Sequence, residues 1–196
     1  MKTKDLMPLT FANKVTFGRI LIVPFFIATV LYYSPLREPL RYVALAVFLL
    51  AVVSDVIDGY IARTRRQKTK AGSMLDPLAD KLLLISAFIC LTIKSEAFGA
   101  VQFPLWLVVA VISRDVILLL GSMIIHLVVG YLTITPTRWG KATTFFQVFC
   151  IVGILLQWEL SVVIWYGTAA LTVISGWGYL RAGIKILNDT TPQARL

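Results

Sequence analysis

From the N-terminus onward, long apolar runs alternate with short polar segments, and the runs are of membrane-crossing length. A hydrocarbon core takes about 20 apolar residues of helix, a few more with tilt. Six stretches meet that requirement, at roughly 19–34, 40–62, 74–94, 103–129, 140–158 and 160–182. They predict an all-α, polytopic membrane protein with six transmembrane helices. A mixture of polar and apolar residues between Phe11 and Arg19 predicts a short interfacial helix feeding the first span. Lys2, Lys4 and Lys14, ahead of the run from Ile20 to Leu31, resemble the start of a signal peptide. No small-x-small cleavage site follows, and Tyr32-Tyr33 reads as an interfacial belt, so a retained helix is expected. The fourth run carries Arg114 and Asp115 in its middle, which argues for protein-facing surroundings there.

Composition sharpens this picture by exclusion. Of 196 residues, 58% are hydrophobic and 15% charged, with a mean hydropathy of +0.82. A soluble domain is nearer half apolar and a quarter charged, so soluble globular, disordered, coiled-coil and collagenous classes are out. The length allows one domain or two small ones, and no internal repeat or low-complexity segment stands out, so 1–196 is expected to be a single integral-membrane domain. The net charge is +9. On a soluble chain that would suggest nucleic acid; here it suggests anionic membrane lipids, or loops retained in the cytoplasm, and no nucleic acid. Fifteen of the 19 Lys and Arg residues fall on the side of the two termini, against Arg37, Arg41 and Lys94 opposite and Arg114 within a span. The positive-inside rule then puts both termini in the cytoplasm. Cys90 and Cys150 lie inside apolar runs and imply neither a disulfide framework nor a zinc site.

Acidic residues near hydrocarbon cost a few kcal/mol each and need a partner or a function. Four of the ten stand close together: Asp55 and Asp58 on the second span, Asp76 and Asp80 on the third. Spacings of i,i+3 and i,i+4 put each pair on one helix face. The short connection makes the two helices antiparallel neighbours, so the four carboxylates converge at a cytoplasmic mouth. Left alone they would repel one another, and a pair of divalent cations resolves that. Hard oxygen ligands without nearby His or Cys select Mg²⁺ or Mn²⁺. The bland alternative is pairing with Arg63, Arg65, Arg66 and Lys81. Gly59 and Gly72 would let a ligand approach the backbone, though isolated glycines also serve helix packing. Arg63 suits bidentate phosphate recognition. Metal, glycine and arginine together point to a pyrophosphate-bearing substrate.

Asp55-x-x-Asp58-Gly59-x-x-Ala62-Arg63, eight residues, then Gly72-x-x-x-Asp76-x-x-x-Asp80 resembles the signature of the CDP-alcohol phosphotransferase family. All fixed positions and both gaps fit. Asn13-x-x-Thr16-x-x-Arg19 and Gly140-Lys141-x-x-Thr144 resemble members that make anionic phospholipids, in the phosphatidylglycerophosphate synthase and cardiolipin synthase branch. The resemblance implies a magnesium-dependent enzyme that uses CDP-diacylglycerol as donor, releases CMP, joins the phosphatidyl group to an alcohol or lipid acceptor, and works as a homodimer. It implies two metal ions on Asp55, Asp58 and Asp76. Asp80 becomes the base for the acceptor hydroxyl, with metal ligation as its other role. Gly59, Arg63 and Gly72 become the CDP-binding set.

The acceptor is read from cations. Arg114, Arg138, Lys141 and Arg181 are suited to an acceptor phosphate, with Arg138 and Lys141 equally readable as positive-inside anchors. For Arg114 the rival is a structural pair with Asp115 or with another helix. Ser113-Arg114-Asp115-Val116 looks closer to the cardiolipin synthases, whereas the flanking features suit both activities. Glycerol-3-phosphate is the first expectation, phosphatidylglycerol the second and inositol phosphate the third. A divalent-cation transporter would instead need its acids near the midplane, and a membrane prenyltransferase would need two separated Asp motifs. His126 reads as a packed or interfacial residue, and Trp106, Trp158 and Trp165 as belt residues.

Overall fold

The computed structural model describes residues 11–64, 70–99, 101–129 and 138–190, with side chains described at 18, 20–57, 81–99, 101–124 and 138–184. A backbone surrounded by lipid must close its hydrogen bonds within its own segment, so each apolar run becomes a helix. In chain order the described residues form α1 (Phe11–Leu31), α2 (Pro39–Thr64), α3 (Lys70–Ile93), α4 (Leu105–Val129), α5 (Arg138–Leu156) and α6 (Ser161–Thr190). Two short 3-10 turns, Pro35–Arg37 and Ser95–Phe98, follow α1 and α3. The chain is therefore an all-α, polytopic membrane protein. Among the described residues, Pro39–Ile57, Leu105–Ile124, Arg138–Leu156 and Ser161–Ile184 are each long and apolar enough to cross a bilayer, and Ile20–Leu31 and Lys81–Ile93 are shorter apolar stretches of α1 and α3.

The segment expected as a separate interfacial helix is continuous with the first span: residues from Phe11 to Arg19 form the first turns of α1. No proline interrupts that stretch, and once a helix has nucleated each added residue gains a hydrogen bond. Pro24, further along, is accommodated inside the helix.

The chain divides into two compact units, Met1–Cys90 and Leu91–Leu196. In the first, α1 packs on α2. The fully buried rings of Phe26 and Phe48 meet with centroids 5.7 Å apart and planes tilted by 46°. Val30, Ala44 and Ala51 are buried too. Pro39 opens α2 at the position where a missing N–H costs nothing.

In the second unit α5 and α6 form a tight helical hairpin, and α4 packs on α6. A β-carbon at Gly153 would collide with Ser161 Oγ, so glycine there permits the close crossing of α5 and α6. The α5 terminus is a Schellman turn: the Trp158 N–H donates to Gly153 O at 2.9 Å and the Gln157 N–H to Ile154 O at 3.0 Å. Gln157 takes the left-handed position, φ +54°, that glycine usually fills. Its side chain accounts for the choice. Gln157 Oε1 accepts from the Val101 N–H and Gln157 Nε2 donates to Val101 O, both at 3.3 Å, tying the segment before α4 to the α5–α6 turn. Helices α4 and α6 run in the same direction, with the rings of Trp106 and Tyr166 5.9 Å apart near their starts and Arg114 bonded to Ser175 further along.

Candidate functional site

The acidic motif lies on two helices of the first unit. Asp55 and Asp58 fall within α2, and Arg63 in its last turn; Gly72, Asp76 and Asp80 fall within the first half of α3. Both segments being helical, the backbone positions 55 and 58, and likewise 76 and 80, stand about one turn apart along their helix. Pro77 also lies inside α3 and removes one donor from it, leaving the carbonyl of Ser73 without its usual helical partner. Asp55 is half-buried. Asp58, Gly59, Arg63, Gly72, Asp76 and Asp80 lie outside the residues whose side chains are described, as does His126, while Arg65, Arg66 and Lys68 lie outside the described residues altogether. Among the described side chains no group of three His, Cys, Asp or Glu is placed to hold a metal ion. The donor set that suits one is the four-Asp motif itself, all hard oxygen, with no His or Cys between 55 and 80.

A second polar cluster sits inside the other unit, at the middle of its helices. Arg114 on α4 is buried and Asp115 beside it more deeply so. Arg114 Nη1 donates to Asp115 Oδ1 at 2.7 Å, and Nη2 donates to Ser175 Oγ on α6. Gln147 on α5, fully buried, donates from Nε2 to Asp115 Oδ2 at 3.2 Å. The charges thus neutralise each other, and the bonds from Arg114 Nη2 to Ser175 and from Gln147 to Asp115 tie three helices together. A buried pair of this kind is expensive to break because the survivor keeps its charge without a partner. Among the described residues, Arg114 Nε and Gln147 Oε1 are buried without a hydrogen-bond partner.

Of the four cations expected on the acceptor side, Arg114 belongs to this cluster and the other three are not gathered there. Arg138 and Lys141 are exposed in the first turn of α5. Gln147, which meets Asp115, lies nine residues beyond Arg138 and six beyond Lys141, about 14 Å and about 9 Å along the helix axis. Gly140 and Thr144 belong to the same turn, where Thr144 Oγ1 donates to Gly140 O at 3.2 Å. Arg181 is exposed on α6, its guanidinium 4.9 Å from the Trp177 ring centroid.

Gln147 and Ser175 were not singled out from sequence, nor were the buried hydroxyls of Thr143, Thr168 and Thr172. A signal was present. Thr168, Thr172, Ser175 and Tyr179 recur at three- and four-residue spacing along α6, marking the face that meets protein rather than lipid. Along it Thr168 Oγ1 donates to Ile164 O at 2.8 Å and lies 3.0 Å from Cys150 Sγ, and Thr172 Oγ1 donates to Thr168 O at 2.7 Å.

Comparison with known proteins extends the motif to most of the chain. The model of a family described as CDP-alcohol phosphatidyltransferase matches residues 9–174. A CDP-diacylglycerol–glycerol-3-phosphate 3-phosphatidyltransferase of Bacillus subtilis (strain 168) is 32% identical over 199 residues, covering 91% of this chain and 97% of the relative. One of the same name from Rickettsia bellii (strain RML369-C) is 31% identical over 192 residues, covering 93% and 97%. A probable phosphatidylglycerophosphate synthase of Mycobacterium tuberculosis (strain ATCC 25618 / H37Rv) is 31% identical over 180 residues, covering 89% and 81%.

Proposed function

The chain belongs to the CDP-alcohol phosphatidyltransferase family, and on that premise we propose that it transfers the phosphatidyl group of CDP-diacylglycerol to the hydroxyl of glycerol-3-phosphate, releasing CMP. The observation that carries this reading is the helical placement of two aspartate pairs, each about one turn apart, on consecutive helices α2 and α3. Relatives named for the reaction align with 89–93% of the chain and support the choice of acceptor. The family match runs across the division between the two compact units, which favours one catalytic domain over 1–196.

The family is generally divalent-metal dependent, and the donor set fits. We assign Asp55, Asp58 and Asp76 as ligands of two Mg²⁺ or Mn²⁺ ions, with Asp80 close enough in sequence to share one. Bound there, the ions supply charge neutralisation for the pyrophosphate and for the departing CMP. The chain does the rest. Gly59 and Gly72 leave room for the cytidine diphosphate to approach the backbone, and Arg63 forks onto a phosphate. Asp80 accepts the proton of the attacking hydroxyl as its oxygen forms the new P–O bond and the P–O bond to CMP breaks. Arg138 and Lys141, exposed in the first turn of α5, attract the phosphate of the acceptor. Arg114, already paired with Asp115, acts on the acceptor side by holding α4, α5 and α6 together.

The same reading puts both termini and the aspartate motif on the cytoplasmic face, from the distribution of Lys and Arg, and the active protein as a homodimer. Purified protein with CDP-diacylglycerol, Mg²⁺ and an acceptor panel tests it. Glycerol-3-phosphate should drive CMP release; release with phosphatidylglycerol alone would transfer the protein to the second acceptor, and release with neither would end the proposal.

A further inference from the structure

We propose that the hollow at the α5–α6 turn binds the headgroup of one phosphatidylethanolamine from the leaflet on that side, with Glu159 accepting the ammonium N–H groups and Trp158 offering its ring face. The hollow has a volume of about 650 Å³ and is lined by Leu156, Gln157, Trp158, Glu159 and Leu160. Its chemistry is one-sided. Glu159 is the one charged residue on the described lining; it is exposed, and among the described residues it forms no ion pair. A carboxylate next to an exposed indole suits an organic cation, whose charge meets the ring face while its N–H groups meet the oxygens. The same lining, with an acid and no base, disfavours an anionic headgroup. Leu156 and Leu160, both exposed, give the lipid's glycerol end an apolar flank.

Depth, rigidity and donor count identify the occupant. From Arg138 to Leu156, α5 rises about 27 Å, and from Ser161 to Arg181, α6 rises about 30 Å. Each length matches the hydrocarbon thickness, so the turn between them stands at headgroup level, with Arg138 and Arg181 at the opposite surface. The turn is also held in place before anything binds. The Trp158 N–H donates to Gly153 O at 2.9 Å, and Trp158 O accepts from the Ser161 N–H at 3.0 Å and from Ser161 Oγ at 2.5 Å. Gln157, one residue earlier, is tied through its side chain to Val101. A site fixed in this way loses little conformational freedom on binding. An ethanolamine ammonium carries three N–H donors for the Glu159 carboxylate, whereas a choline group carries none, so the carboxylate selects the first.

The test uses the full chain in detergent with matched-chain phosphatidylethanolamine, phosphatidylcholine and phosphatidic acid, counting retained lipids by native mass spectrometry. None of the three is donor or acceptor in the proposed reaction, so the result does not depend on that reading. One phosphatidylethanolamine should be held in preference to the other two. Glu159→Gln should remove the preference over phosphatidylcholine, weakening phosphatidylethanolamine about fivefold, and Glu159→Lys should turn the preference towards phosphatidic acid. Trp158→Ala should lower retention of both zwitterionic lipids, because the ring face serves either cation; Trp158→Leu is the second variant should the smaller side chain lower the melting temperature. Millimolar free ethanolamine should leave the lipid in place. Equal retention of phosphatidylethanolamine and phosphatidylcholine by the unmutated chain would overturn the proposal. So would a preference unchanged by both Glu159 variants, or full displacement by free ethanolamine.

Discussion

The two charged regions of this protein obey opposite rules. On α4, Arg114 and Asp115 are neighbours of opposite sign; they close on each other and their remaining atoms reach α5 and α6. On α2 and α3, Asp55 and Asp58, and Asp76 and Asp80, are like charges one turn apart, which no rotation of either helix can turn into partners. Both arrangements spend acidic residues within apolar helices, where they are costly. The first has its two charges paired within the protein and makes scaffold. The second gathers acidic residues of one sign, a hard-oxygen set suited to cations, and so makes a site.

Removing a member of each region should therefore fail differently. Asp55→Asn is expected to abolish CMP release, beyond the roughly 10²–10⁴-fold that a lost base alone would cost, and to remove the rise in melting temperature that added Mg²⁺ gives the unmutated chain. A clear fall in melting temperature without metal would place Asp55 in the scaffold instead. For Asp80→Asn the expected loss is about 10²–10⁴-fold in kcat with donor binding retained. Equilibrium binding of CDP-diacylglycerol checks this, and a loss of donor and metal as complete as in Asp55→Asn would make Asp80 a ligand rather than a base.

Arg114→Ala should act on folding. Leaving Asp115 buried without its counter-charge costs about 3 kcal/mol or more, read as a lower melting temperature in detergent, whereas Arg114→Met with Asp115→Leu should recover most of it. Gln147→Leu, which removes one interhelical bond, should cost about 1 kcal/mol. An Arg114 variant with full thermal stability but a raised acceptor KM would move this residue from scaffold to site. Lys141→Ala should leave stability level and act on the site alone, with an acceptor KM raised about tenfold, the equivalent of one charge-assisted hydrogen bond, and donor KM unchanged.

The sequence exposed the second region far better than the first. Apolar run length decided the helices, and four aspartates at one-turn spacing are conspicuous in a chain with ten acidic residues. The interhelical network was harder to read because lipid and protein interior are equally apolar, so periodicity does not say which face of a membrane helix meets its neighbour. Arg114 and Asp115 stood out by charge, but Gln147 and Ser175 are single polar residues in apolar surroundings, and only the packing of α5 and α6 brings them to the pair. The Phe11–Arg19 stretch shows a different limit. Its polarity suggested an element of its own, yet nothing in its backbone chemistry stops the helix.

The central claim is that the aspartate region transfers a phosphatidyl group onto glycerol-3-phosphate. Its most direct test supplies acceptor labelled with ³²P, together with CDP-diacylglycerol and Mg²⁺, to the purified chain and follows the label into the lipid phase. The account predicts lipid-soluble label appearing one-for-one with CMP, none of it in CMP, and no transfer by Asp55→Asn. Label that stays in the aqueous phase while CMP is released would contradict it.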